Sequence, residues 1–209
     1  MIICFDMDNT LVHSDKAHVL AFQKALVKLK FPKLKFLDIA KHFGKPKLEV
    51  ASAITGCKDN KILLNLLKWH DHYLYNETNK HCRKIKGVVG VIKELKKNHK
   101  LVVVSNCRHK SIRVILKSAG LNYKLFDLIV GSDDVKHSKP YPDELFLAEK
   151  LLHHKIDYIV GDSIYDVRAG KRAKVKTVAV LTGLYPRNIL KKEKPDFIIK
   201  NLKSLLNIL

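Results

Sequence analysis

The chain has few cysteines and lacks any long apolar run. No run approaches the roughly 20 apolar residues that a membrane-spanning helix needs, so we expect no membrane association. An apolar strand follows Met1 directly, and we therefore expect no signal peptide. The four cysteines include no C-x-x-C pair, and Cys4 lies in an apolar run as a core residue would. We therefore expect neither a disulfide framework nor a zinc site, and a reducing, cytoplasmic location.

Acidic residues and arginines are scarce as well. The chain has 20 acidic against 40 basic residues, a formal net charge of +20, and only six of the basic residues are arginine. A nucleic-acid-binding surface usually clusters its charge and uses arginine to contact phosphates. Here the lysines are spread over nearly every segment. We therefore do not expect nucleic acid as a partner despite the net charge, and we expect a monomer or homodimer.

Short apolar runs alternate with amphipathic stretches from about residue 86 onwards, which is typical of a parallel α/β sheet. The predicted strands are 101–106, 125–134, 156–166, 176–183 and 196–200, and the predicted helices are 109–120, 142–154, 167–173 and 201–208. Residues 14–85 lack this alternation and carry apolar residues at helical spacing. We therefore predict a Rossmann-like parallel-sheet core (1–13 and 86–209) with an α-helical cap (14–85) inserted after the first strand.

Two aspartates end the first predicted strand, at residues 2–5. Asp6 and Asp8 point the same way if the segment is extended, and two carboxylates in one space repel unless a cation or a shared proton compensates. Polar residues also follow later strands, at Ser105-Asn106, Lys139-Pro140, Gly161-Asp162-Ser163 and Asp166. In open α/β sheets, ligands bind at this edge.

This set of residue types suits phosphoryl transfer through an aspartyl phosphate. One carboxylate can act as nucleophile and divide the displacement into two easier steps, while a second serves as general acid and base. A hydroxyl, backbone amides and a lysine can hold the phosphoryl oxygens, and further acids can bind Mg²⁺.

The strand ends carry four motifs: Asp6-x-Asp8-x-Thr10, Ser105-Asn106, Lys139-Pro140 and Gly161-Asp162-Ser163-x-x-Asp166. In this order they resemble the motifs of the haloacid dehalogenase-like hydrolase superfamily, and most closely those of phosphoglycolate-phosphatase-type members with a helical cap. The resemblance covers nearly the whole chain. It implies that Asp6 is the nucleophile and Asp8 the general acid and base. It further implies a phosphate site made by Ser105, Asn106, Lys139 and Thr10, the last of which also supports the turn.

The resemblance also implies Mg²⁺ as the cofactor. Its ligands would be Asp6, Asp162 and the backbone carbonyl of Asp8, with Asp166 either a further ligand or, as we prefer, a partner of the ligands. Asn9 stands where many relatives have glycine, but asparagine also tolerates a left-handed turn.

The cap offers two lysines in the segment GKPKLE (44–49), where related caps carry a specificity loop. Lys45 and Lys47 would then contact the non-reacting end of the substrate, unless they are merely solvated lysines of a basic protein. The segment 69–73 (WHDHY) is predicted to lie on a helix surface rather than to bind a metal, because residues i and i+2 do not face each other on a helix.

We therefore expect a Mg²⁺-dependent phosphatase that hydrolyses a small phosphorylated metabolite, with a phosphoglycolate-like phosphomonoester preferred. One alternative is a sugar-phosphate mutase of the same fold, although such mutases more often carry glutamate at the position of Gly161. Another is a basic nucleic-acid-binding or end-processing protein, which only the net charge supports.

Overall fold

A sheet of six parallel strands lies at the centre of the computed structural model, which describes residues 1–209. Its strands are β1 (Ile2–Phe5), β4 (Lys100–Ser105), β5 (Leu128–Gly131), β6 (Tyr158–Gly161), β7 (Lys176–Val180) and β8 (Phe197–Ile199), and a separate two-stranded ribbon pairs β2 (Val12–His13) with β3 (Arg83–Lys84). The order across the sheet is β5-β4-β1-β6-β7-β8. The predicted Rossmann-like parallel sheet is thereby confirmed.

Helices cover both faces of this sheet and fill the segment between β2 and β3. The α-helices are α1 (Asp15–Lys28), α2 (Phe36–Ala40), α3 (Lys47–Thr55), α4 (Asn60–Tyr73), α5 (Val88–Leu95), α6 (His109–Ser118), α7 (Asp143–Leu152), α8 (Ile164–Ala173) and α9 (Arg187–Lys192). None of them combines the length and the apolar composition that a membrane span requires.

The central strand β1 is buried on both faces, which explains its unbroken apolar run. Because side chains alternate along a strand, Ile3 and Phe5 pack into one core, whereas Ile2 and Cys4 pack into a second core across the sheet. All four cysteines are free thiols. The strand that ends just before Asp6 therefore lies between two apolar layers.

The helices between β2 and β3 have an apolar core of their own. It consists of 12 buried residues, all drawn from residues 19–67, among them Phe22, Leu26 and Leu66. The chain enters this region at β2 and leaves it at β3, and these strands pair Val12 with Lys84. The exact domain boundaries at 13/14 and 85/86 stay a prediction, and they lie beside this ribbon.

Two predicted helices differ from those observed. Helix α8 begins at Ile164 instead of 167, because Ser163 accepts hydrogen bonds from the backbone of its first turn and Asp166 accepts one from Ser163 N. The predicted C-terminal helix is a short 3₁₀ turn, Leu202–Asn207, whose i to i+3 bonds begin with Ser204 N donating to Asn201 O.

Candidate functional site

A pocket lies between the carboxyl edge of the sheet and the inserted helices. The adjacent strands β4, β1 and β6 end together, so Ser105, Asp6 and Asp162 reach the same space. The opposite wall contains Phe22, Phe43, Lys45 and Lys47 from the inserted region. The cavity has a volume of about 80 Å³. Its interior is therefore suited to a small ligand.

Lys139 joins two carboxylates at the floor of the pocket. Its Nζ donates to Asp6 Oδ1 at 2.6 Å, to Asp166 Oδ1 at 2.7 Å and to Val104 O at 3.1 Å, and the residue is 2% exposed. Burial disfavours its charge, but Asp166 and Asp6 raise the pKa of Lys139 well above its ordinary value. Burial raises the pKa of Asp6 well above its ordinary value, and Lys139 opposes that rise.

Asp166 fixes the loop that follows β6. Besides Lys139, it accepts hydrogen bonds at Oδ2 from Ser163 N at 3.1 Å and from Ser163 Oγ at 2.5 Å. A Cβ at position 161 would collide with the Asp166 carboxylate, so only glycine fits there. Since both oxygens of Asp166 accept hydrogen bonds, this residue holds the ammonium group of Lys139 in place.

Asp6, Asp162 and Asp166 each place one carboxylate oxygen in a group whose members lie within 4.8 Å of one another. Lys139 pairs with Asp6 and Asp166, so Asp162 is the one without an ion pair. Burial, together with the charge of Asp6, raises the pKa of Asp162 well above its ordinary value. A Cβ at Gly183 would collide with this carboxylate, so the residue opposite it has to be small. Three carboxylates thus lie close together with one lysine to neutralise them, and such clustered oxygens are suitable ligands for a hard cation such as Mg²⁺.

Asp8 stands in a different environment from Asp6. Its Oδ1 accepts a hydrogen bond from Ser14 Oγ and lies 3.4 Å from His18 Nε2, and its Oδ2 accepts one from Cys107 Sγ at 3.3 Å. Burial alone would raise its pKa, but His18, Ser14 and Cys107 together outweigh this and lower the pKa of Asp8 to about 2. The two aspartates therefore have pKa shifts in opposite directions, and Asp8 is the more acidic of the two in the metal-free site.

The predicted phosphate-binding residues fall into two groups. Ser105 and Asn106 line the pocket, and the Nδ2 of Asn106 donates to Gly44 O and to Lys139 O, both at 2.9 Å, which ties the sheet edge to the inserted region. Thr10 is fully buried outside the pocket wall, and its hydroxyl has no hydrogen-bond partner. Thr10 thus does not line this pocket, and its role in phosphate binding stays a prediction.

Both cap lysines line the pocket, but they differ in their surroundings. Lys47 Nζ contacts Asp71 Oδ1 at 3.0 Å, and its side chain is 13% exposed. The alternative that this lysine is merely solvated is therefore wrong. Lys45 is half-buried in the same wall.

The prediction that segment 69–73 lies on a helix surface is wrong for His70 and Asp71. His70 is completely buried and Asp71 nearly so, whereas His72 is exposed. The sequence held a signal, because His70 continues the spacing of the buried Leu63, Leu66 and Leu67 and therefore belongs to the inner face of α4. Sequence reasoning also missed His18 and Cys107, which no motif marks.

The family model of haloacid dehalogenase-like hydrolases matches residues 3–180 of the chain. The chain belongs to this family. The PpaX protein of Caldanaerobacter subterraneus is 30% identical over 210 residues, covering 99% of this chain and 93% of the relative. Pyrophosphatase PpaX of Bacillus cereus is 29% identical over 211 residues, covering 99% and 95%.

Two solved structures share the fold over nearly the whole chain. A hydrolase from Pseudomonas syringae has a TM-score of 0.84 at 27% identity, with 98% of this chain and 95% of the other covered. A protein of Haemophilus somnus described as a predicted phosphoglycolate phosphatase has a TM-score of 0.88 at 22% identity, with 99% and 96% covered. The expected class, a hydrolase of the phosphatase type, is confirmed by the family and these relatives.

Proposed function

We propose that the chain is a Mg²⁺-dependent phosphatase that hydrolyses a small phosphorylated metabolite through an aspartyl phosphate on Asp6. The observation that carries this proposal is the contrast between two aspartates in one pocket. Asp6 is fixed through Oδ1 by Lys139, whereas Asp8 faces the same space with a different set of hydrogen-bond partners.

The reaction has two displacements. In the first, a carboxylate oxygen of Asp6 attacks phosphorus and the bond to the ester oxygen breaks. Asp8 gives a proton to the leaving alkoxide from its protonated form, which is the minor form in the free protein at neutral pH. In the second, water attacks phosphorus, Asp8 takes its proton, and the bond to Asp6 breaks to release inorganic phosphate. Lys139 stays hydrogen-bonded to Asp6 and offsets the negative charge that develops on the phosphoryl oxygens.

The residues that would hold Mg²⁺ are Asp6, Asp162 and the backbone carbonyl of Asp8, with Asp166 restraining Lys139 beside them. When bound, the ion would supply positive charge to the phosphoryl oxygens and to the carboxylates that otherwise repel one another. The raised pKa values of Asp6 and Asp162, caused chiefly by burial, support a cation here.

The substrate that we favour is phosphoglycolate or a similar small phosphomonoester with a second anionic group. The narrow pocket supports a small molecule, and the ammonium groups of Lys45 and Lys47 support an anionic end away from the phosphoryl group. Pyrophosphate is a second candidate, because relatives that span the chain are named pyrophosphatases and this substrate also carries a second anion.

The other predicted functions have less support. A mutase of this fold more often carries glutamate where Gly161 leaves no room for a side chain. A nucleic-acid function rests on the net charge alone. We propose a monomer or homodimer that works in the cytoplasm without nucleic acid or membrane as a partner, consistent with four free thiols.

The test is release of inorganic phosphate from a panel of phosphorylated metabolites, with Mg²⁺ and with EDTA. We expect Mg²⁺-dependent turnover of phosphoglycolate, pyrophosphate or a related small anion, and none of folded phosphoproteins. Absence of phosphate release from every small substrate would contradict the proposal, and transfer of the phosphoryl group within a sugar phosphate would favour the mutase.

A further inference from the structure

A buried chain of side chains connects helix α4 to Asp8. Asp71 Oδ1 lies 2.9 Å from His70 Nδ1, and His70 Nε2 lies 3.1 Å from His18 Nδ1. The other nitrogen of His18, Nε2, lies 3.4 Å from Asp8 Oδ1. The contact between the two histidines joins residues 52 positions apart in the sequence. None of these steps belongs to a sequence motif, and His70 and Asp71 do not touch the predicted metal ligands.

The chemistry of these groups fixes which atom donates at each step. A carboxylate only accepts, so His70 must carry its proton on Nδ1, facing Asp71. Burial and the nearby charge of Lys47 lower the pKa of His70 to about 3, so this ring is neutral and its Nε2 accepts. His18 must then donate from Nδ1. The single charge on Asp71 thereby sets the tautomer of His70 and requires a proton on His18 Nδ1.

Aromatic side chains pack against both rings. The rings of His18 and His70 are parallel, with an interplanar angle of 1° and centroids 5.3 Å apart. Phe22 packs against His70 with a centroid distance of 4.1 Å, and Phe43 meets the edge of His18 at 6.0 Å. Rotation of His70 would break its hydrogen bonds to both His18 and Asp71. The hydrogen-bonded row of side chains is therefore packed in the interior and does not lie on the surface of the helix.

Asp71 also holds Lys47, whose Nζ lies 3.0 Å from the same Oδ1. Burial opposes ionisation of Asp71, but the hydrogen bond from His70 and the charge of Lys47 lower the pKa of Asp71 far below its ordinary value. One carboxylate in α4 thus orients the cap lysine at one end and, through two histidines, the ring beside Asp8 at the other.

We propose that Asp71 and His70 are positioning residues for the acid–base step. They hold His18 Nε2 against Asp8, so that the Asp8 carboxyl group keeps the orientation needed to protonate the leaving group. The inference rests on the proposed phosphatase function, and it adds two residues of the inserted region to that function. Neither residue contacts the reacting atoms, so both act through His18.

The test uses the dependence of the first turnover on the leaving group. An alkyl phosphate such as phosphoglycolate needs proton donation to its leaving oxygen, whereas p-nitrophenolate leaves without it. His70→Phe keeps an aromatic ring beside Phe22 but removes both nitrogens, and Asp71→Asn removes the charge. At saturating substrate, where a weaker contact of Lys47 with the anionic tail does not limit the rate, we expect each variant to slow the first turnover of phosphoglycolate by about 10-fold or more, a fraction of what general acid catalysis is worth. First-turnover release of p-nitrophenol should change less than about 3-fold.

Two further variants complete the kinetic test. His70→Gln can donate to Asp71 and accept from His18 with its amide, so we expect it to restore part of the loss seen in His70→Phe. His72→Phe, on the exposed side of the same helix, serves as the matched control and should behave like the unmodified protein. Equal slowing of both substrates by His70→Phe and Asp71→Asn, with unchanged melting temperatures, would overturn the proposal.

A measurement without substrate separates this inference from the phosphatase function. Imidazole ¹⁵N spectra should show Nδ1 protonated in both His18 and His70, and Asp71→Asn should shift the His70 signals. If phosphate is never released but these spectra are as expected, the phosphatase function fails while the hydrogen-bonded chain stands. If His70 carries its proton on Nε2, the proposed chain is wrong whatever the activity.

Discussion

The ammonium group of Lys139 donates a 2.6 Å hydrogen bond to Asp6 although both side chains are almost fully buried. Moving two charges out of water is costly, and only the mutual attraction and the further hydrogen bonds from Lys139 to Asp166 and Val104 offset that cost. The pair is therefore expected to matter for folding as well as for catalysis.

Lys139→Ala should abolish turnover and lower the free energy of unfolding by about 3 kcal/mol at neutral pH, because it leaves Asp6 and Asp166 without their cation. The loss should be smaller at pH 5, because burial raises the pKa of Asp6 in the folded protein. Without Lys139, Asp6 can take up a proton at pH 5 and become neutral, whereas at higher pH it stays a buried charge that destabilises the fold. Urea unfolding at pH 5 and pH 7.5 measures the loss of stability and its pH dependence, with the exposed Lys136→Ala as control. A pH-independent loss would contradict this account of the pair.

Asp162→Asn should have opposite effects on the metal-free and metal-bound protein. Without metal it removes a buried carboxylate that Asp6 repels, so the melting temperature in EDTA should rise by a few degrees. With Mg²⁺ the unmodified protein should gain stability by mass action, whereas the variant should gain little and lose activity. Melting curves in EDTA and in excess Mg²⁺ test this. Equal stabilisation of both proteins by Mg²⁺ would exclude Asp162 from the metal site.

Glu144 should make the protein less stable as the pH rises. Both of its carboxylate oxygens are buried without a hydrogen-bond partner, and burial raises its pKa to about 7. The protonated form is favoured in the folded state, so its stabilisation is complete below pH 4.5 and is lost as the pH rises to 7. Glu144→Gln should therefore raise the free energy of unfolding at pH 8 by about 3 kcal/mol at most and change little at pH 4.5. Denaturant titrations at pH 4.5 and pH 8 measure this gain, with the exposed Glu94→Gln as control. An equal gain in the free energy of unfolding at the two pH values would contradict the prediction.

The cap lysines should affect binding more than chemistry. Lys45→Ala and Lys47→Ala should each raise KM for phosphoglycolate by about 10-fold, because a charge-assisted contact to the anionic tail is lost. KM for p-nitrophenyl phosphate, which lacks such a tail, should change far less. Steady-state kinetics with both substrates tests this, with the exposed Lys41→Ala as control. Equal increases for both substrates would remove these lysines from a role in specificity.

The sequence was sufficient to predict the sheet and the motifs at its edge, because both depend on local pattern. The apolar run of β1 marks a strand that is buried on both faces, and Asn9 has the left-handed backbone that its residue type allows, with φ of 56°. The surroundings of Asp8 depend instead on tertiary packing. Cys107 lies 99 residues from Asp8 in the sequence, so no local pattern brings the two together.

The inserted helices show a second reason for missed residues. The spacing of residues 69–73 argues against a metal site and led to the prediction of a surface position, but the place of His70 on the apolar face of α4 decides its burial. Its hydrogen-bond requirements are then met by Asp71 and His18, which allows a polar ring to lie in an apolar core. A polar residue at apolar helical spacing is therefore worth treating as a candidate for a buried functional network.

The most direct test of the account is to identify the residue that carries the phosphoryl group. The protein is mixed with substrate and Mg²⁺, quenched in acid within the first turnover, digested and mapped by mass spectrometry. We predict one hydroxylamine-labile phosphoryl group on Asp6, present in larger amount in Asp8→Asn because hydrolysis of the phosphoenzyme is slowed, and absent in Asp6→Asn, which should not turn over. A phosphoryl group on another residue, or near-normal turnover by Asp6→Asn, would contradict the account.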